Sequence, residues 1–183
     1  MSLEDEYRDQ PEEIRWEGRY IVAKTRGRWE YVGRSRNIRA AVILAVDDGH
    51  VLLVEQFRVP LGRPCIELPA GLIGDEAGSE NEDAAIAAAR ELEEETGYRP
   101  GRVESLGEFY SSPGMVTEAF TLFRALHLEK VSEGGGLEGE GITVHRVALS
   151  EIVSFIGARR AEGYAIDTRM LLLLSPAILG TST

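Results

Sequence analysis

The chain has 183 residues, enough for one well-filled core, and its 43% hydrophobic and 28% charged residues are those of an ordinary globular protein. A net charge of −11 at pH 7 repels nucleic-acid phosphates and anionic lipid, so neither is expected as a partner. The single cysteine, Cys65, excludes a disulfide framework and a zinc cluster and fits a reducing cytoplasm, and no apolar run is long enough to span a membrane.

Residues 1–13 are polar and expected to fray, and the acidic start has no apolar core of the kind a signal peptide needs. Arg19 to Lys24 and Arg28 to Gly33 read as two short strands around Arg26-Gly27. Their alternation is weak, so this piece is expected to bury itself against something else, a second subunit being one candidate. Ile38 to Val46 is almost continuously apolar, and Asp47-Asp48-Gly49 turns it into His50 to Arg58; both are expected to be central strands. Cys65 to Pro69 reads as another short strand, in which Cys65, between Pro64 and Ile66, is expected to be a buried, inert thiol. His50, His127 and His145 are not spaced as metal-ligand pairs.

Asn81 to Tyr98 organises the rest. Its alanines and strong helix formers, closed by Gly97, predict a helix over Glu82 to Thr96. At about 100° per residue Glu91, Glu94 and Glu95 share one face with Arg90 beside Glu94, while Glu93 points elsewhere. A solvated acidic face is the plain interpretation. Against it, like charges three and four apart destabilise a helix, the more so at its C-terminal end, and a divalent cation would compensate them.

After Gly97, Val103 to Tyr110 and Thr117 to Leu126 read as strands joined by Ser111 to Met115. Glu133 to Gly141 holds five glycines and is a mobile loop by composition. Ile142 to Ala148 reads as a strand, Ser150 as the cap of a helix to about Glu162, and Asp167 as the cap of a final apolar helix toward Leu174, ended by Pro176. Strands flanked by helices predict a mixed α/β sandwich.

Arg90-Glu91-Leu92-Glu93-Glu94-Glu95-Thr96-Gly97-Tyr98, with Glu82 eight positions before the arginine and Gly71 upstream, resembles the Nudix box, Gly-x5-Glu-x7-Arg-Glu-U-x-Glu-Glu-x-Gly-U, where U is bulky and apolar. Every fixed position from Glu82 onward matches. Ten residues, not five, separate Gly71 from Glu82, and the extra Gly74 to Ser79 reads as a longer loop. The resemblance implies the Nudix fold, a mixed sheet sandwiched between helices. Residues 1–37 would form an N-terminal strand extension and residues 38–183 the hydrolase domain.

Glu55-Gln56-Phe57-Arg58, the run Gly62 to Ile73, Pro113 sixteen residues past Gly97, and Trp29-Glu30-Tyr31-Val32 with Arg34 resemble the ADP-ribose pyrophosphatase branch of that family. This likeness implies metal-dependent hydrolysis of ADP-ribose or a related ADP-sugar to AMP and a sugar phosphate. It also implies Mg2+ or Mn2+ held by Glu91, Glu95 and the Ala70 carbonyl, with Glu94 completing or orienting the cluster and Arg90 and Glu94 among the catalytic residues. Arg34 and Arg58 would hold phosphates, Glu67, Gly114 and Met115 would line the substrate site, and Trp29 and Tyr20 would stack the base. Glu140 is the implied general base on a flexible loop, with Glu138 its competitor. A homodimer that exchanges N-terminal strands is implied as well. The same residues leave open a hydrolase of another nucleotide sugar, such as GDP-mannose, and a sensor that binds ADP-ribose without cleaving it.

Overall fold

The computed structural model describes residues 2–35, 38–74 and 82–175. Of the insertion expected at Gly74 to Ser79, all but Gly74 lies outside them, as does Pro176. Among the described residues no helix is long and apolar enough to cross a membrane.

The N-terminus is more ordered than its polarity suggests. Ser2 and Asp5 form a capping box, the Ser2 hydroxyl accepting the Asp5 N–H at 3.2 Å while the Asp5 carboxylate accepts the Ser2 N–H at 3.1 Å. That box starts α1 (Leu3–Tyr7), and β1 (Glu12–Glu17), β2 (Ile21–Arg26) and β3 (Trp29–Arg34) follow as an antiparallel sheet. The sheet is partly buried by its own chain: Val32 donates to the Met115 carbonyl at 3.0 Å and accepts from Thr117 at 2.9 Å. Strand β1 is exposed throughout, with Ile14 and Trp16 more than half accessible.

The remaining strands are β4 (Arg39–Asp47), β5 (His50–Arg58), β6 (Arg63–Glu67), β7 (Ala70–Ile73), β8 (Tyr98–Tyr110), β9 (Ala119–Lys130), β10 (Thr143–Ala148) and β11 (Ala165–Ile166). The helices are α2 (Ala84–Thr96) and α3 (Ile152–Ala161). The strands form one mixed sheet in the order β11-β6-β5-β4-β9-β8, with β10 added to β5 and β7 to β4; β4 runs parallel to β9, and β11 to β6.

Helices cover both faces. Ala41, Ile43 and Ala45 of β4 pack with Ala87, Ala88 and Leu92 of α2, while Val42 and Leu44 pack with Ile152, Met170 and Leu173 on the other side. A strand buried on both faces has no polar alternation to show, hence the continuous apolar run of β4. The C-terminal end departs from expectation in two places. Residues Leu149–Glu151 form a 3-10 turn, and α3 begins without a side-chain cap from Ser150. Asp167 does cap, accepting the Arg169 N–H at 2.6 Å, but the element that follows, Thr168–Leu174, is a 3-10 helix.

One feature of the sheet creates the site. β4 and β5 share a ladder only beside their turn, at Val46–Val51 and Asp47–His50, and then separate to pair with β9 and β7, and with β6 and β10. The segment after β6 crosses this gap, where Pro69 accepts the Ile43 N–H at 2.8 Å, and delivers Ala70 and Gly71 beneath α2.

Candidate functional site

Helix α2 begins where Asp83 accepts the N–H groups of Ala85 and Ile86 at 2.8 and 3.4 Å, and it closes at Gly97, whose φ of 77° suits glycine. Fully buried alanines at 87 and 88 let its backbone lie close to the sheet. Its acidic face is organised around Arg90. The guanidinium lies 3.0 Å from Glu91, 3.2 Å from Glu94 and 3.6 Å from Glu82, so one cation offsets the repulsion among three carboxylates. The spacing from Glu82 to Arg90 thereby acquires a reason, because the chain just before the helix folds back onto the arginine. Glu93 points away, as the periodicity predicts, into a two-pronged pair with Arg99 at 2.7 and 2.8 Å.

Glu95 and Glu91 both meet β7. The Glu95 carboxylate accepts the Ala70 N–H at 3.0 Å and is 8% exposed. Burial, reinforced by the charges of Glu91 and Glu140, pushes its pKa up to about 8. The Glu91 side chain lies on the bare α-carbon of Gly71, where any Cβ would overlap its Cγ, Cδ and Oε2. Gly71 is therefore a glycine for reasons of close approach.

In front of these residues opens a cleft of about 530 Å³, bordered by Arg34, Arg58, Glu67, Ala70, Gly71 and Arg169. Each arginine is met by a carboxylate. Arg34 donates to Glu118 at 2.6 Å, and Arg58 donates to both oxygens of Glu67 at 2.6 and 2.8 Å. Arg169 reaches Glu67 at 3.1 Å and Asp167 at 2.6 Å. Glu67 is 2% exposed and presents its charge to arginines rather than to the cleft. Arg169, Asp167 and Glu118 were not picked out by the sequence reading; Asp167 carried only a capping signal, and pairs this distant in the chain leave no local pattern. Cys65, at the cleft wall, is buried, and burial with Glu67 nearby pushes its thiol up to about 12, an inert group as expected.

Other predicted residues lie apart from this cleft. Trp29 stands edge-on to Tyr7 with ring centroids 6.4 Å apart and borders a second cavity, of about 520 Å³, with Pro113 and Gly114. Tyr20 is half exposed beneath the Arg19 guanidinium, 5.0 Å from the ring centroid. Met115 has its side chain exposed and contributes backbone to the pairing with Val32. Trp29 and Arg34 are five residues apart on β3, so the pleat sends them to opposite faces.

The glycine-rich segment is stitched at both ends, to α2 at Gly135 and Gly136 and to β5 through β10. Glu140 is exposed between these anchors, its Oε2 accepting the Leu137 N–H at 2.7 Å, and its charge is felt at Glu95.

Among the described residues no three acidic, histidine or cysteine side chains come together in an arrangement that could hold a metal ion by themselves. Arg90 gathers the carboxylates of Glu91 and Glu94, and Glu95 meets the Ala70 backbone. Such an oxygen-only donor set suits a hard divalent cation that keeps open positions for water and phosphate.

A NUDIX domain model matches residues 35–166. The ADP-ribose pyrophosphatase of Bacillus subtilis strain 168 is 38% identical over 132 residues, 69% of each chain. The GDP-mannose pyrophosphatase of Cronobacter sakazakii is 36% identical over 132 residues, covering 68% of this chain and 64% of that protein. A crystal structure of an ADP compounds hydrolase superposes with a TM-score of 0.69 over 94% of both chains at 20% identity, a likeness of fold.

Proposed function

The chain belongs to the Nudix family of hydrolases, and from that premise we propose that it splits the diphosphate of ADP-ribose or a related ADP-sugar into AMP and a sugar phosphate. The observation that carries this reading is the cleft in which Arg34, Arg58 and Arg169 face the β7 edge that Glu91 and Glu95 underlie. Arginine forks in the cleft, and carboxylates of Glu91 and Glu95 that meet the same β7 strand, are the two kinds of group that a metal-bound diphosphate needs.

Glu91, Glu95 and the Ala70 carbonyl would hold Mg2+ or Mn2+, with Glu94 beside them. Bound there, the cation supplies charge neutralisation at adjacent phosphates and lowers the pKa of an attacking water. Arg90 keeps Glu91 and Glu94 oriented. Arg58, fixed by Glu67, and Arg34, fixed by Glu118, hold the phosphates in line. Glu140 takes the proton of the water as general base; it is preferred to Glu138 because the Gly-Ile-Thr-Val that follows it leads into β10.

Trp29, Tyr20, Gly114 and Met115 belong to the base-binding end of the site. Trp29 and Arg34 leave β3 on opposite faces, which supports a site completed by a second copy. Exposed Ile14 and Trp16 on β1 support the same homodimer, built by residues 1–37 on the hydrolase domain 38–183. The unpaired thiol of Cys65 supports a reducing, cytoplasmic setting.

The test is a panel of ADP-ribose, GDP-mannose, NADH, diadenosine polyphosphates and dNTPs incubated with Mg2+ beside a Glu95→Gln control. ADP-ribose cleaved fastest to AMP and ribose phosphate, with the control inactive, upholds the proposal. Preference for GDP-mannose moves the substrate to the other nucleotide sugar that a relative's name indicates. Binding of ADP-ribose without cleavage of any compound replaces the enzyme with a sensor.

A further inference from the structure

The segment after β9 closes the C-terminal end of α2. Val131 and Ser132 donate to the Gly97 carbonyl at 2.8 and 3.2 Å, Gly135 donates to Glu95 at 2.8 Å, and Gly136 donates to Glu94 at 3.0 Å. Terminal helix carbonyls lack partners within the helix, and here two of them belong to the acidic residues of the site itself. The geometry demands glycine. Gly134, Gly135 and Gly136 have φ of 67°, 108° and 75°, and a Cβ on Gly134 would overlap the backbone of Thr96 and Gly97.

At Gly136 the crowding has a different origin. A Cβ there would overlap Glu140 Oε2 and stand 2.9 Å from Ile142 Cδ1. The Glu140 carboxylate rests on the bare α-carbon of Gly136, held by the Leu137 N–H at 2.7 Å, with Ile142 as the second wall.

We propose that Gly136 is a positioning residue: its missing side chain is the seat of the Glu140 carboxylate, and the amides of Gly135 and Gly136 fix that seat to the backbone of Glu95 and Glu94. The glycine-rich segment is then a gauge that sets the base against the acidic helix. The inference rests on the reading of Glu140 as the general base. A composition-based view would call these glycines a flexible hinge; the hydrogen bonds make their first half a clamp and leave residues 137–141 as the projecting part.

The test compares Gly136→Ala with Gly139→Ala and Gly141→Ala. All three positions have left-handed backbone, with φ of 75°, 96° and 61°, but nothing lies near a Cβ at 139 or 141. ADP-ribose turnover with Mg2+ and Mn2+ affinity by calorimetry are measured for each, alone and on a Glu140→Gln background. Gly136→Ala is expected to lower kcat by about 10²-fold, the cost of misplacing a reacting group by an ångström, with KM and Mn2+ affinity within about threefold of the parent. The two comparison variants lose far less. On the Glu140→Gln background Gly136→Ala adds almost nothing, because no base remains to be displaced. An equal loss in all three variants, or an undiminished loss on that background, overturns the seat while leaving the base reading intact. Undiminished turnover of Glu140→Gln alone overturns both. Ile142→Ala removes the other wall without straining the backbone and carries the same expectation at smaller size, so the seat is still decided if Gly136→Ala does not fold.

Discussion

Glu67 holds Arg58 by both of its oxygens, at 2.6 and 2.8 Å, from a position where only 3% of its own side chain meets solvent. The arginine, 40% exposed, keeps an edge toward the cleft. Removing the carboxylate would leave Arg58 without its partner and Arg169 held by Asp167 alone. Glu67→Ala is therefore expected to cost about 2–3 kcal/mol in urea unfolding, the size of lost charge-assisted hydrogen bonds. Arg58→Lys keeps the charge but loses the fork, and is expected to raise KM for ADP-ribose by about tenfold with little change in stability. A stability loss for Glu67→Ala below about 1 kcal/mol would show that the pair does not hold the cleft wall.

Gly71→Ala places a methyl group where the Glu91 side chain lies. Because the obstacle is a flexible side chain, the fold should survive while Glu91 swings away from β7. The expected result is a loss of Mn2+ affinity of about 10-fold or more with a melting temperature close to that of the parent. Unchanged Mn2+ affinity would remove Glu91 from the ligand set.

Glu95 gives the metal-free protein a pH signature. Its pKa in the fold is about 8, against 4.5 for an ordinary glutamate, so between these values the folded state holds a proton that the unfolded state has released. Stability must then fall as pH rises from about 4.5 to about 8 and level off above it. Urea unfolding in EDTA across that window measures this. Glu95→Gln, neutral throughout, should be flatter with pH and more stable than the parent at pH 8. Mn2+ affinity should climb over the same range as the proton is displaced, and an affinity independent of pH would contradict the assignment of Glu95 as a ligand.

The exposed strand β1 predicts assembly. Ile14 and Trp16 are 58% and 57% accessible, so Ile14→Asp with Trp16→Glu should leave the stability of a single subunit nearly unchanged while converting a dimer to a monomer in sedimentation velocity. If Trp29 serves the partner's cleft, the monomer also loses turnover of ADP-ribose. A parent protein that sediments as a sharp monomer would sink the two-subunit site.

What could be read from the sequence is what is local in the chain. The acidic helix, its closing glycine, the outward turn of Glu93 and the bounds of β5 all follow from periodicity and caps, which act within one or two turns. The capping box at Ser2 and Asp5 was equally local; its Ser-x-x-Asp spacing was the available signal, hidden by a polar composition that suggested fraying. The cleft was decided by tertiary structure alone. It exists because β4 and β5 part after two paired residues, bringing Arg34 to Glu118, Arg169 to Glu67 and Gly71 to Glu91 across long stretches of chain. The glycines at 134–136 read as looseness in composition, yet they become a clamp once the open carbonyls of α2 face them. A helix writes its pattern into neighbouring residues. A cleft depends on which distant strands pair, and no short window of sequence contains that choice.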